Sequence, residues 1–199
     1  MNGDSKPFTL RYLRANGPGY RLHLTHTSHL TPVTPHTSHL TPPVSTPPML
    51  PKSHWQHLIP HGGAMCLLEC VVDWDDERIH LTTDSHRDPD NPLRRDGLLR
   101  ALHLCEYGAQ AMAVHGGLLA QRAGTVAAPG FLVSLRAVHL QVARIDDLAG
   151  ELDVHAGKLL DGGGSWQYEF RIEHAGRVLA DGRAAIVQAT AGTADPRES

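Results

Sequence analysis

Residues 96–122 (DGLLRALHLCEYGAQAMAVHGGLLAQR) are apolar on nearly every side when they are wound into a helix. A helix without a polar face is stable only when other elements cover it. We predict that it begins at Asp96, a favourable N-cap residue, and ends before Gly124 with Arg122 in its last turn. The chain must therefore fold around one long, enclosed helix.

One carboxylate, Glu106, lies within this apolar stretch, and in a helix Ala109, Gln110 and Ala113 would share its face. Burial of an unpaired carboxylate is costly and raises its pKa towards the neutral, proton-donating form. Glu106 is therefore a candidate acid. The alternative is an ordinary helix pair, with His103 three residues before it or Gln110 four residues after it.

The other elements are predicted to be strands. Residues 64–74 form an apolar run of strand length, and residues 78–83 alternate between apolar and polar side chains, which predicts a hairpin. Residues 53–60 suggest a short helical turn. After the helix, turn residues separate four further strands in a meander, at 131–142, 150–160, 166–174 and 178–187. The fold class is α+β, a six-stranded antiparallel sheet wrapped around one central helix.

A proline-, threonine- and histidine-rich segment precedes these elements and repeats HTSHLTP at residues 26–32 and 36–42. Such a composition buries too little apolar surface to offset chain entropy, so we predict a disordered tail over residues 1–52. The domain then spans residues 53–188, with a flexible tail at 189–199. The histidines of the repeat could chelate a metal weakly, but nothing would fix their geometry.

The composition excludes several classes of function. With 18 basic and 21 acidic residues the net charge is −3, so no basic field favours nucleic acid or an anionic membrane. No apolar run could span a bilayer or act as a signal peptide, which predicts a cytoplasmic protein. Cys66, Cys70 and Cys105 lack paired metal-ligand spacing and are expected to be reduced, buried apolar residues. We expect no metal or other cofactor.

Two motifs resemble those of hot-dog-fold 3-hydroxyacyl-ACP dehydratases. Residues 58–69 (LIPHGGAMCLLE) are similar to the family's Leu/Ile-Pro-His motif, and residues 106–110 (EYGAQ) to its central-helix glutamate followed by a glutamine. The whole pattern over about residues 53–187 looks closest to the dehydratases of aryl-polyene pigment clusters. Small residues after the histidine depart from the family pattern and leave the acyl substrate open.

The resemblance implies an elimination of water from a 3-hydroxyacyl thioester to give the trans-2-enoyl product. His61 would remove the C2 proton and Glu106 would protonate the departing hydroxyl. The backbone N–H of Ser134 would bind the enolate oxygen, with Gln110 also contributing to substrate binding. The implied partners are an acyl carrier protein and a second hot-dog subunit, identical or different.

Alternatives remain open for both residues and function. His61 could merely form a backbone hydrogen bond at the start of the next strand. His103 and His115 are expected to be structural or interface residues. The chain could instead be a hot-dog thioesterase or a non-catalytic subunit of a heteromeric dehydratase. In a two-subunit arrangement we expect His61 of one chain to meet Glu106 of the other.

Overall fold

A computed structural model of the chain describes residues 49–189. The predictions for the N-terminal repeat and for most of the C-terminal tail lie outside these residues. The strands are β1 Leu50–Pro51, β2 Cys70–Trp74, β3 Arg78–Thr83, β4 Gly130–Leu140, β5 Leu152–Asp161, β6 Ser165–His174 and β7 Arg177–Gln188, and the helix α1 is Leu104–Arg122.

The strands form one antiparallel sheet in the order β1-β2-β3-β5-β6-β7-β4. Two predictions are corrected here. The sheet has seven strands in place of six, because Leu50 and Pro51 pair with Val71 and Cys70 at its edge. The four strands after the helix also do not form a simple meander. β4 pairs with β7 at the far edge, while β5 pairs with β3 and so occupies the middle of the sheet.

Helix α1 packs on one face of this sheet, mainly against β5 and β3 and also against β6 and β7. The strand side chains that face it are apolar and buried, because alternate residues of a strand point to the same side. Gly108 allows a close approach: a Cβ there would lie 2.9 Å from the Phe170 ring of β6. The predicted burial of the helix is confirmed, since eleven of its residues are buried.

The start of the helix differs from the prediction. Asp96 has φ 53° and Gly97 φ 75°, and hydrogen bonds in both directions join Arg95 to Leu98. An Asp-Gly pair with two positive φ angles is a favoured two-residue turn, and here it forms the tip of a small hairpin. Asp96 is therefore not an N-cap: α1 begins at Leu104, directly after a short 3-10 turn.

The predicted end of the helix is confirmed. Gly124 has φ 69° and donates its N–H to the carbonyl of Gln121, while Thr125 donates to the carbonyl of Ala120. These two bonds form the Schellman motif, in which a residue with positive φ closes the last helical turn. One helix packed on a single antiparallel sheet is the arrangement expected of the hot-dog fold. Within residues 49–189 no helix combines the length and apolarity needed to cross a membrane.

Candidate active site

The chain before β2 places His61 next to the helix. A 3-10 turn at Gln56–Leu58 ends because Ile59 precedes a proline and is extended, with φ −117° and ψ 154°. The residues after His61 form a second tight turn, Gly63–Met65, that uses the positive φ of Gly63. The chain then continues through buried residues into β2, and His61 is held between these two turns.

His61 and Glu106 lie in direct contact within one chain. His61 Nε2 is 3.2 Å from Glu106 Oε1, and the two side chains are 13% and 18% exposed. A single chain thus brings the two residues together, contrary to the expectation that His61 of one chain would meet Glu106 of the other. The contact also goes beyond the alternative in which His61 only bonds to backbone.

Glu106 lies in the first turn of α1, not in the middle of the helix as predicted, since the helix begins later than expected. Free backbone N–H groups at a helix N-terminus favour a carboxylate. His103 directly precedes this turn, and its charge also acts on Glu106.

The pKa of Glu106 is lower than that of an ordinary glutamate. Burial alone would raise it, but hydrogen bonds from His61 and Gln110 and the charges of His61 and His103 outweigh that effect. This corrects the expectation of a raised pKa. Glu106 is therefore ionised at neutral pH.

Gln110 holds Glu106 in place through its side-chain amide. It is fully buried, and its side-chain amide donates to the Met65 carbonyl at 2.8 Å and to Glu106 Oε1 at 3.0 Å. Its amide oxygen accepts the N–H of Leu67 at 2.9 Å. Both N–H donors of the amide are occupied within the protein, so they are not available for the predicted role in substrate binding. Gln110 instead fixes Glu106 relative to the segment that follows His61.

Ser134, the predicted donor to the enolate oxygen, lies in β4, where it pairs with Ala185 of β7. This strand forms the edge of the sheet opposite β1 and β2, which adjoin the segment that carries His61. The structure brings together His61, Glu106 and Gln110. It places Ser134 on a separate edge.

Two further histidines have structural roles. His115 is buried between the Tyr168 hydroxyl and the Asp75 carbonyl, both at 2.9 Å, and burial lowers its pKa. His86 is buried with Nε2 3.2 Å from the Leu148 carbonyl. The structural role predicted for His115 is confirmed. All three cysteines are free thiols, and Cys66 and Cys105 are buried.

A helix glutamate beside a histidine is the pair of residues that the resemblance to hot-dog dehydratases implied. Within this class, the model of the ApeP-like family, described as ApeP dehydratase, matches residues 53–196. The chain belongs to the ApeP-like dehydratase family. The resemblance to aryl-polyene dehydratases drawn from the two motifs is thereby confirmed.

Several solved structures are similar to this chain. The chain is similar to the dehydratase heterocomplex ApeI:P from Xenorhabdus doucetiae, with 29% identity, a TM-score of 0.63, and coverage of 71% of this chain and 93% of that chain. A putative thioesterase from Shewanella oneidensis has 11% identity and a TM-score of 0.49, covering 70% and 94% of the two chains. No curated protein shows significant sequence similarity to the chain.

Proposed function

We propose that this chain is itself catalytic and eliminates water from a 3-hydroxyacyl thioester carried by an acyl carrier protein. The observation that supports this proposal most directly is the contact of His61 Nε2 with Glu106 Oε1 at 3.2 Å. Elimination needs a base at C2 and an acid at the C3 hydroxyl, and these two carbons are adjacent. Two side chains this close together can act on both carbons from one side of the substrate.

Together, His61 and Glu106 hold the same number of protons before and after one turnover. In the reactive form His61 is neutral and Glu106 carries the proton. His61 takes the C2 proton, the C2–H electrons form the double bond, and the C3 hydroxyl leaves with the proton of Glu106 as water. The pair then holds its one proton on His61, and a transfer across the direct contact returns it to Glu106. Gln110 keeps Glu106 in place throughout.

The lowered pKa of Glu106 makes the reactive form a minor one in the free protein. A bound acyl chain that displaces water would raise that pKa again, because desolvation disfavours the charged carboxylate. Substrate binding would thus increase the population of the form that can donate a proton.

A second hot-dog subunit is the proposed partner. Strand β4 ends the sheet, and its side chains Phe131, Val133 and Leu140 are apolar yet exposed. Exposed sheet edges invite pairing with another strand, and the similar ApeI:P structure is a heterocomplex. Since Ser134 lies on this strand, we propose that its backbone N–H would serve an enolate oxygen only in the assembled complex.

The test is a Glu106→Gln variant, assayed with its partner subunit where one is required. The amide keeps the shape of the side chain but cannot deliver the proton. We expect a loss of about 10²- to 10⁴-fold in the rate of enoyl formation, the usual contribution of a general acid. The assay follows enoyl product and free thiol separately, so that a thioesterase would be recognised.

A Glu106→Asp variant is the matched control, because it keeps the acid and shortens the side chain by one methylene. It should retain more activity than Glu106→Gln at a similar melting temperature. An unchanged rate in a folded Glu106→Gln protein would exclude the proposed acid. Release of thiol without enoyl product would instead assign a thioesterase.

A further inference from the structure

The sheet face that points away from α1 carries a cluster that the proposed reaction does not use. On β3, Ile79 and Leu81 point inward and are buried, so His80 between them points outward. On β5, Asp153 and His155 face outward in the same way. His80 and His155 are directly opposite each other in the β3–β5 register. The fold therefore fixes three potential ligands on two central strands.

The side chains of this cluster converge. His80 Nε2 is 2.9 Å from Asp153 Oδ1, and the rings of His80 and His155 are stacked with centroids 4.2 Å apart. One ligand atom from each of the three residues lies within 4.8 Å of the others, and all three side chains are partly buried. A single ion could contact all three after small side-chain rotations.

We propose that His80, Asp153 and His155 form a binding site for a divalent transition-metal ion of the zinc type. Two imidazoles and one carboxylate are a donor set that suits zinc and its neighbours, and metal ions need neutral histidine as a ligand. Because the strands are hydrogen-bonded in register, the ligands are held by a rigid sheet. The histidines of the N-terminal repeat offer the same chemistry without a described scaffold.

Charged groups of both signs surround the cluster. Glu173 on β6 brings a second carboxylate, with Oε2 3.8 Å from His155 Nε2, and Arg171 Nε lies 3.1 Å from its other oxygen. Glu173 or a water could occupy a fourth position, since the cluster borders a depression of about 940 Å³.

Such an ion would connect β3 to β5, which pair in the centre of the sheet. The site lies on the opposite face of the sheet from the helix, so it is separate from His61 and Glu106. A ligand that binds only the folded state raises the melting temperature. The expected consequence is stabilisation of the domain by metal.

The experiment uses the full-length chain after treatment with a chelator. Zn²⁺ is titrated by calorimetry, and Co²⁺ by visible absorption, into wild type, His155→Gln and His139→Gln. His139 is the matched control, because it pairs with Asp181 on the same sheet face but is not part of the three-residue group. Comparison between variants cancels any metal held by the N-terminal histidines.

We expect His155→Gln to bind one equivalent of metal fewer than wild type. Affinity at that site should fall by more than roughly 10- to 100-fold, which is the usual cost of removing a residue that hydrogen-bonds to a metal ligand. His139→Gln should match wild type. Zn²⁺ should raise the melting temperature of wild type and His139→Gln more than that of His155→Gln.

Equal stoichiometry and affinity in wild type and His155→Gln would overturn the proposal, as would loss of the same equivalent in His139→Gln. Circular dichroism checks that each variant is folded. If His155→Gln is not folded, Asp153→Asn, which keeps the side-chain shape, replaces it under the same criteria: loss of the equivalent supports the site, and retention overturns it.

Discussion

The contact between His61 and Glu106 changes what each residue can do. Glu106 would resist ionisation if it were buried alone, but its neighbours reverse the sign of the pKa shift. The sequence motifs identified both residues and gave Gln110 four positions further along the helix. They did not show that Gln110 bonds to the backbone of Met65 and Leu67, because that contact crosses more than forty residues of chain.

The ionisation of Glu106 should be visible in stability. Its pKa is lower in the folded protein than in the unfolded chain, so its contribution is fully present above the ordinary value of about 4.3. That contribution is lost as the pH falls through the lower folded value. We expect the difference in unfolding free energy between wild type and Glu106→Gln to be largest near neutral pH and to shrink on acidification, measured by urea unfolding at each pH.

Removal of the histidine provides the control. In a His61→Asn background the same difference should vary less with pH, because the main hydrogen bond that favours the carboxylate is gone. A difference that stays constant, or that grows as the pH falls, would contradict the assigned direction of the shift.

The sequence of helix α1 is only moderately favourable for helix formation, and packing in the folded protein accounts for part of that sequence. It contains the adjacent glycines Gly116 and Gly117, and glycine within a helix is unfavourable relative to alanine. Gly117 is required by packing, because a Cβ there would lie 2.7 Å from the Leu58 Cβ. Gly116 has no atom within 4 Å of such a Cβ, so nothing in its surroundings requires glycine.

Alanine substitutions at these two positions should therefore have opposite effects. Gly116→Ala should stabilise the protein by about 0.5–1 kcal/mol through helix propensity. Gly117→Ala should destabilise it by about 1–3 kcal/mol through overpacking against Leu58. Differential scanning calorimetry measures both, and a rise in melting temperature for Gly117→Ala would show that the segment around Leu58 moves freely.

For the whole molecule, the position of β4 at the edge of the sheet separates the site from the surface where a partner would bind. The His61–Glu106 pair is complete within one chain, whereas the exposed apolar residues of β4 lie at the far end of the sheet order. Under the proposed function, assembly with a second subunit would cover this edge but would not be needed to bring His61 and Glu106 together.

A complementation experiment distinguishes this arrangement from a shared site. If the chain pairs with itself, mixed dimers of His61→Ala and Glu106→Ala carry one lesion in each site, so they should remain as inactive as the single variants. A shared site would leave one intact site in every mixed dimer and return roughly a quarter of wild-type activity with random pairing. Differently tagged chains allow purification of the mixed dimers. Recovered activity would show that each site takes His61 from one subunit and Glu106 from the other.

The sequence by itself determined the local features of this protein. Its apolar periodicity predicted one enclosed helix and the strands around it, the positive-φ glycine marked the helix end, and two short motifs identified His61 and Glu106. These features depend on residues that are close together in the chain. The Asp96–Gly97 turn was misassigned because an Asp before an apolar run equally indicates an N-cap.

The tertiary structure decided which distant segments meet. Alternation shows which side of a strand is buried, but it does not specify the neighbouring strand, so the insertion of β5 between β3 and β6 was not predictable. The same limit applies to the cluster of His80, Asp153 and His155, whose members belong to strands more than seventy residues apart. It applies equally to the pKa of Glu106, because burial and hydrogen bonding act on it in opposite directions and only the final geometry determines their balance.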